Sequence, residues 1–458
     1  MDIWQTGKMS DMQGNADEDT GIKQNLPPST YRKLNQLQLD ETVELHNRFL
    51  DGRVGGRRAN FRNTDLTGLT LRGCNLQQAD FTGAIMRDMD LSRVNFREAS
   101  FYAADMRNSI INQASFIRAD LRGARIENAN LEGADLESAD LRGGGITTDN
   151  TFSESQNVNF KGANLSGAKL VGSLASNADF SDAILTGANI SRADLRGASF
   201  SGADLSEAKL SGCTLSGADM KSAIMIGTEL DDLVKQQLDI TDSITDTNSG
   251  MSLSQLEQPL EHLIEIHRLW VQTVGKEGRQ LDLSGYDLHE LKELKQEHLT
   301  GIKACNARFF GMNLYQVELQ SATLDGASFQ QCDMEDADLR GSSFKGANFN
   351  HVNLRNANFN PLLFGEHGTE NERVQACDLE GSSFRYADIR EGKLKKANLR
   401  HADLSYADFS RCDLRYVDFT GANLDNTIFE GADMKYTLFD EAQIKDLKRR
   451  NILIGEYE

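Results

Sequence analysis

Residues 119–133 read ADLRGARIENANLEG, with one clear pentad from Ala119 to Gly123 and another from Ala129 to Gly133. In each, a small residue and a large apolar residue stand two apart, with Asp120 or Asn130 between them. Side chains alternate along a strand, so the small and large residues share one face and the Asp or Asn takes the other. The next two positions, usually Ser, Thr, Arg, Lys or Glu and then Gly or another short residue, turn a corner. Each corner resets the phase, so that the large residue points inward again.

The pattern extends in both directions. Every fifth residue from Phe61 to Ile146 is Phe, Leu, Met or Ile. The same holds from Phe160 to Leu230 except at Ala175, and from Phe309 to Phe364 and Leu379 to Phe439 throughout. Phenylalanine also returns every twenty residues: Phe61, Phe81 and Phe101; Phe160, Phe180 and Phe200; Phe309, Phe329 and Phe349; Phe344, Phe364 and Phe384. Four sides of five close a coil, and each residue stacks on its equivalent roughly 4.8 Å above. Phe and Leu ladders then fill the axis, with Ala, Ser, Cys and Val between them. A helix does not fit, because a strict five drifts around it by about 140° per step. The fold class is an all-β solenoid whose repeats contact only their neighbours.

The A-(D/N)-(L/F)-x-G consensus resembles the pentapeptide-repeat family over Ala59–Leu230 and Leu281–Asp440. The resemblance implies right-handed quadrilateral β-helices, here two of them, with short capping helices and a helical or linker connection. It says little of function, because fold and function separate readily. One branch of the family looks like a B-DNA rod and acts on type II topoisomerases; others are secreted effectors.

Length, charge and composition bound the rest. The chain has 458 residues, a net charge of −20 and a mean hydropathy of −0.48. It lacks the ~18 consecutive apolar residues of a membrane span, and the acidic first twenty residues lack a signal-peptide profile. The expected compartment is the cytoplasm, with no membrane association. Cys74, Cys213, Cys332, Cys377 and Cys412 fall at the small inward position, and only Cys305 departs from it. They read as buried filler, with no metal site and no cofactor expected.

A shared signature precedes each solenoid: Val43–Phe49 (VELHNRF) and Ile264–Trp270 (IEIHRLW). Each solenoid also breaks once. The expected organisation is a disordered N-terminus at 1–30, a cap helix within 31–58, and a first solenoid at 59–232 with a loop at 147–159. A linker at 233–258 and a second cap helix at 259–278 follow. The second solenoid spans 279–440 with a loop at 365–378, and a helix and tail occupy 441–458. Leu256, Leu260, Leu263, His267, Trp270 and Val274 form an apolar stripe for the second cap. His46 and His267 read as packing residues, and Asp440 as an N-cap with Leu447, Ile452 and Ile454 as apolar contacts of the last helix.

No catalytic constellation is present, so the expected function is a non-enzymatic protein–protein interaction scaffold. Candidate interaction residues lie in the loops: Thr147, Asp149, Asn150 and Glu154 in the first, and Glu366, His367, Glu370, Glu372 and Arg373 in the second. The alternative is a DNA mimic that modulates DNA gyrase or topoisomerase IV, with Asp403, Asp408, Asp413 and Asp418 as a candidate acidic face. A secreted effector is a second alternative. Charge weighs on the mimic. Residues 59–230 carry 16 Lys/Arg against 21 Asp/Glu, net −5, and residues 279–440 carry 18 against 26, net −8. A duplex of ~40 Å carries about 24 charges. Partners are expected to be proteins, a type II topoisomerase among them, without direct nucleic-acid binding; a homo-oligomer is compatible with the sequence.

Overall fold

A computed structural model describes residues 31–148, 151–231, 238–240, 243–246, 250–289, 291, 293–364, 373–450 and 452, with the backbone alone described at 145–148 and 151–156. The chain divides into two compact units, Met1–Asp246 and Thr247–Glu458.

In the first unit, parallel bridges join residues twenty apart: Asn60 to Asp80, Asp80 to Ser100, Ser100 to Asp120 and Asp120 to Asp140 climb one side. Asp65–Ile85, Thr70–Asp90 and Asn75–Asn95 begin the other three sides. The second unit repeats this geometry, for example at Thr323–Ser343, Ser328–Asn348, Asp333–Asn353 and Asp338–Asn358.

The hydrogen-bond pattern explains the pentad. The Phe61 N–H donates to the Asp80 carbonyl at 2.7 Å, Asn63 to Thr82 at 3.0 Å, Thr64 back to Phe61 at 3.2 Å, and Asp80 to Ala59 of the coil before at 3.1 Å. The remaining N–H, on Arg62, donates to the side-chain Oδ1 of Asn60 at 3.1 Å. The same short arc recurs from Arg142 to Asp140, Ser206 to Asp204 and Ser410 to Asp408. Asp or Asn is favoured between the small and large residues because it supplies the acceptor for the fifth backbone N–H, although Ile85, Ile110, Leu174 and Lys209 stand at the same position in other pentads.

The fifth position adopts left-handed backbone: Gly123 has φ +65°, and Gln113 and Tyr406 have φ +57° and +62°. Glycine enters this region freely, whereas other residues lose roughly 1–2 kcal/mol. The corner is held by the coil above it; the Gln113 N–H, for instance, donates to the Glu132 carbonyl at 2.9 Å.

Inside, the rings stack along the axis. Centroids are 4.9 Å apart for Phe61–Phe81 and Phe81–Phe101, 5.0 Å for Phe160–Phe180 and 5.1 Å for Phe180–Phe200. In the second unit Phe309–Phe329 and Phe329–Phe349 are 4.7 and 5.0 Å apart. A second column crosses the first edge-on, as Phe96 does to Phe101 at 4.9 Å and 89°.

Four sequence expectations are corrected here. Phe344, Phe364 and Phe384 do not form a ladder. Phe384 stacks on Phe349 instead, at 4.7 Å, and Phe364 is 42% exposed. Asn348 bridges Ser383, 35 residues on, so the second insertion is 15 residues long and breaks the apparent twenty-residue count. Likewise Arg125 bridges Asn159, 34 residues on, and Ile146 belongs to a hairpin rather than to a side. Val274 lies past the end of its helix and is 89% exposed. The stretch 233–258 is not simply a linker: Ile244–Thr245 pairs in parallel with Ile224–Met225, and Met251–Ser252 with Tyr286–Asp287.

Among the described residues, three α-helices meet coil ends. Helix α1 (Gln36–Leu50) starts at a capping box between Asn35 and Gln38 and buries Leu39, Val43 and His46. Its side chains occupy open edge groups of the first coil: His46 Nδ1 accepts the Ala59 N–H at 3.0 Å, and Gln36 exchanges two bonds with the Thr70 backbone at 2.9 and 3.0 Å. Helix α2 (Leu260–Gln272) buries Leu260, Leu263, Ile264 and His267, and His267 Nδ1 accepts the Leu281 N–H at 3.1 Å. Helix α3 (Glu441–Arg449) has Asp440 as N-cap and buries Leu447, with Ile452 packed beside it. Its Gln443 donates to the carbonyls of Phe419 and Ala422 at 2.7 and 2.8 Å. Ile454 lies outside the described residues, as does the N-terminal stretch 1–30.

Candidate interaction surfaces

Among the described residues, an antiparallel hairpin interrupts the coil in each unit. The first pairs Gly144–Thr148 with Thr151–Gln156, from Gly144 opposite Gln156 to Thr148 opposite Thr151. Of the residues expected to act there, Thr147 and Glu154 lie on the two strands, while Asp149 and Asn150 fall outside the described residues. The second hairpin pairs Leu362–Phe364 with Arg373–Gln375. Arg373 is exposed opposite Phe364, and Glu366, His367, Glu370 and Glu372 fall outside the described residues. Leu363 and Val374, paired across the hairpin, are both exposed. The hairpin base rests on the coil, where Gln375 Nε2 donates to the Gly341 carbonyl and a Cβ at Gly341 would stand 2.8 Å from Leu362 Cβ.

The four candidate acidic residues, Asp403, Asp408, Asp413 and Asp418, fall one per side, as their five-residue spacing implies, so no single surface gathers them. Each is also occupied. Asp403 and Asp408 accept from the backbone N–H and hydroxyl of Ser405 and Ser410, and Asp418 from those of Thr420. Asp413 takes the Arg415 guanidinium as a fork at 2.7 and 2.6 Å, which holds its carboxyl below the usual range.

That fork is a recurring device. Arg122 on Asp120, Arg142 on Asp140, Arg196 on Asp194, Arg340 on Asp338 and Arg390 on Asp388 repeat it, always two residues apart. Asp105 is the most enclosed case. Arg107 reaches it from its own side at 2.8 Å and Arg87 from the coil below at 2.7 Å. Burial raises the Asp105 pKa, but the two guanidinium groups outweigh it and the net direction is down. Carboxylates neutralised in this way serve backbone and corner rather than a field of exposed charge.

The remaining reactive groups are structural. Cys213, Cys332, Cys377 and Cys412 are buried; burial pushes the Cys213 thiol up to about 11 and those of Cys332 and Cys412 up to about 12. Cys74 and Cys305 are half-buried. Among the described residues no group of three or more His, Cys, Asp or Glu could hold a metal ion, and no helix is long and apolar enough to cross a membrane.

One surface feature escaped the sequence reading. Tyrosines at corner positions stack outside the coil as phenylalanines do inside: Tyr386–Tyr406 and Tyr416–Tyr436 are each 4.9 Å apart, and His351 lies 4.9 Å beneath Tyr386. The twenty-residue spacing within each pair was the available signal.

A family model described as pentapeptide repeats matches in eight copies, over residues 57–78, 74–113, 111–143, 159–202, 198–232, 322–360 and 393–431. Those stretches take in more than half of the chain. No curated protein matches. Among solved structures, a trypsin-treated form of QnrB1, a plasmid-mediated fluoroquinolone resistance protein, is similar at 20% identity over 46% of this chain and 92% of that one, with a TM-score of 0.21. HetL, a pentapeptide repeat protein involved in heterocyst differentiation regulation in Nostoc sp. strain PCC 7120, is 18% identical over 87% and 96%, with a TM-score of 0.14. Rfr23, from the cyanobacterium Cyanothece 51142, is 22% identical over 33% and 95%, also at 0.14. These scores are too low for the superpositions to bear on this chain's role.

Proposed function

This chain belongs to the pentapeptide-repeat family, and from that premise we propose that it is a non-enzymatic scaffold that presents protein-docking surfaces on two rigid β-helical units. The units read as copies of one module: a covering helix, several coils, a projecting hairpin and further coils. The observation that carries this reading is the second hairpin. It interrupts a core whose neighbours are otherwise fully packed, and it places Leu363, Phe364 and Val374 in solvent. Apolar side chains exposed together on a projecting element favour contact with another protein. Nothing in the coil's own packing calls for them.

The test is capture of partners from the native cell by the tagged full chain and by a variant lacking 362–376. Loss of specific partners from the variant, with its melting temperature retained, supports the scaffold. Equal recovery by both chains, or no specific partner with either, overturns it. DNA mimicry has less support, because the Asp rows are engaged by Arg forks and turn contacts. Unchanged gyrase supercoiling at a large molar excess of this protein removes that alternative.

A further inference from the structure

Residues 385–400 run against the charge of the whole chain, with six Lys/Arg against two Asp/Glu in a protein of net charge −20. Arginines around this stretch are held by carboxylates: Arg390 on Asp388 at 2.5 Å, Arg415 on Asp413 at 2.6 Å and Arg411 on Glu391 at 2.7 Å. Lys393, Lys395 and Lys396 are different. Among the described residues none of the three has a carboxylate within 4.0 Å.

The register places these lysines beside two further features. Asn358 bridges Lys393, and Lys393 bridges Asp413, which bridges Asp433. Three residues beyond each of these lie the corner positions Pro361, Lys396, Tyr416 and Tyr436, one above another. The chain leaves the coil at Pro361 to form the hairpin that exposes Leu363 and Phe364. Tyr416 and Tyr436, 45% and 46% exposed, stack at 4.9 Å. One corner thus carries in sequence an apolar hairpin, a cluster of ammonium groups outside any ion pair and a tyrosine pair. From Pro361 to Tyr436 it rises three coils, roughly 14 Å, about the span of four or five extended residues.

We infer that this corner is a docking strip for an acidic peptide segment of a partner protein that also carries apolar side chains. Lysines held in no ion pair, with the nearby Asp413 already taken by Arg415, attract acidic side chains. The hairpin and tyrosines supply apolar contact at both ends. Nucleic acid fits less well, because the cationic patch is short and acidic surface surrounds it. This inference rests on the scaffold reading and names its partner's chemistry.

The test uses the full chain and a fluorescein-labelled nonapeptide alternating Glu with Phe and Leu, followed by fluorescence anisotropy at 50 and 300 mM NaCl, concentrations set to bracket weak and strong screening. Saturable binding that weakens with salt is expected. K393E/K395E/K396E should lose at least about tenfold in affinity and Tyr416→Ala with Tyr436→Ala several-fold, as expected for a charge-and-aromatic contact. R57E/R192E/K221E, which makes the same charge change in the first unit, should stay within about twofold. Where the lysine triple variant melts early, the Lys→Gln triple, which adds no repulsion, must show the same loss. Undiminished binding to the lysine variants, or no binding to the wild type, overturns the inference. So does a single-stranded oligonucleotide that binds more tightly and is lost with the same lysines. Peptide failure alongside successful capture of cellular partners removes this strip and leaves the scaffold standing; the converse result does the reverse.

Discussion

Phe349 stacks on Phe384 at 4.7 Å, with planes 10° from parallel, although 35 residues of chain separate them. The hairpin between them adds 15 residues to a twenty-residue coil. Excision of 362–376 should therefore restore the twenty-residue spacing and leave the thermal midpoint within a few degrees, a shift of about 1 kcal/mol or less. Excision of 365–378, one residue shorter, should be far worse. It removes Cys377 and Asp378, which belong to the coil, and leaves the next side out of phase. Parallel thermal melts distinguish the two, and equal stability would contradict the register.

Phe329 stacks between Phe309 and Phe349 and meets Phe344 edge-on at 5.9 Å. Phe329→Ala should cost roughly 3–5 kcal/mol, because neighbours tied into coils above and below cannot collapse into the cavity. Arg340→Ala removes a partly exposed fork on Asp338 and should cost less than about 1 kcal/mol. Denaturant titrations of both variants measure the difference, and similar losses would contradict the inward and outward assignments.

Thiol reactivity reports on the same interior. Cys332 is fully enclosed, with its thiol pushed up to about 12, and its Sγ–H lies 3.0 Å from the Phe309 carbonyl. Cys213 and Cys412 make the equivalent contacts with Ile190 and Ile389. Under native conditions at pH 8, iodoacetamide should label Cys305 and Cys74 first, with the buried four modified only after unfolding. Mass spectrometry of peptides over time checks the order. Early labelling of Cys332 would mean that the middle coils open locally.

The period of five was legible because the inward position takes a large apolar residue almost throughout, Ala175 excepted, and the position before it is most often an Asp or Asn that supplies an acceptor. Both preferences are local and recur along the coil. The insertions were harder to place. Phe364 sits twenty residues from both Phe344 and Phe384 by coincidence, and nothing local marks it as a hairpin residue. Ile146 misleads in the same way. The function of the Asp rows also lay beyond sequence: Asp413 reads as exposed charge until Arg415 is seen folded onto it. Tyr416 and Tyr436 were readable in spacing but not in position, since only the corner geometry shows that they stack outward.

Acid should loosen the junction between helix and coil. His46 Nδ1 accepts the Ala59 N–H at 3.0 Å, while its Nε2 stands 3.0 Å from the Gln77 carbonyl, so the ring is neutral with its proton on Nε2. Burial, with a smaller effect from Arg58, lowers its pKa below the ordinary 6.5. The second unit repeats this contact at His267, whose pKa is also lowered, chiefly by burial. The unfolded chain takes up these protons near pH 6.5 and the folded chain only at lower pH. Stability is therefore complete above that value and falls as pH drops below it. Asp105 and Asp140, held below their usual 3.8, lose their contribution only in stronger acid, so the histidine window stands apart. His46→Asn together with His267→Asn should flatten the pH dependence between about 6.5 and 5, since asparagine offers a comparable acceptor that does not titrate there. Urea midpoints at half-unit pH steps measure this. An unchanged slope in the double variant would place the acid sensitivity elsewhere in the coil.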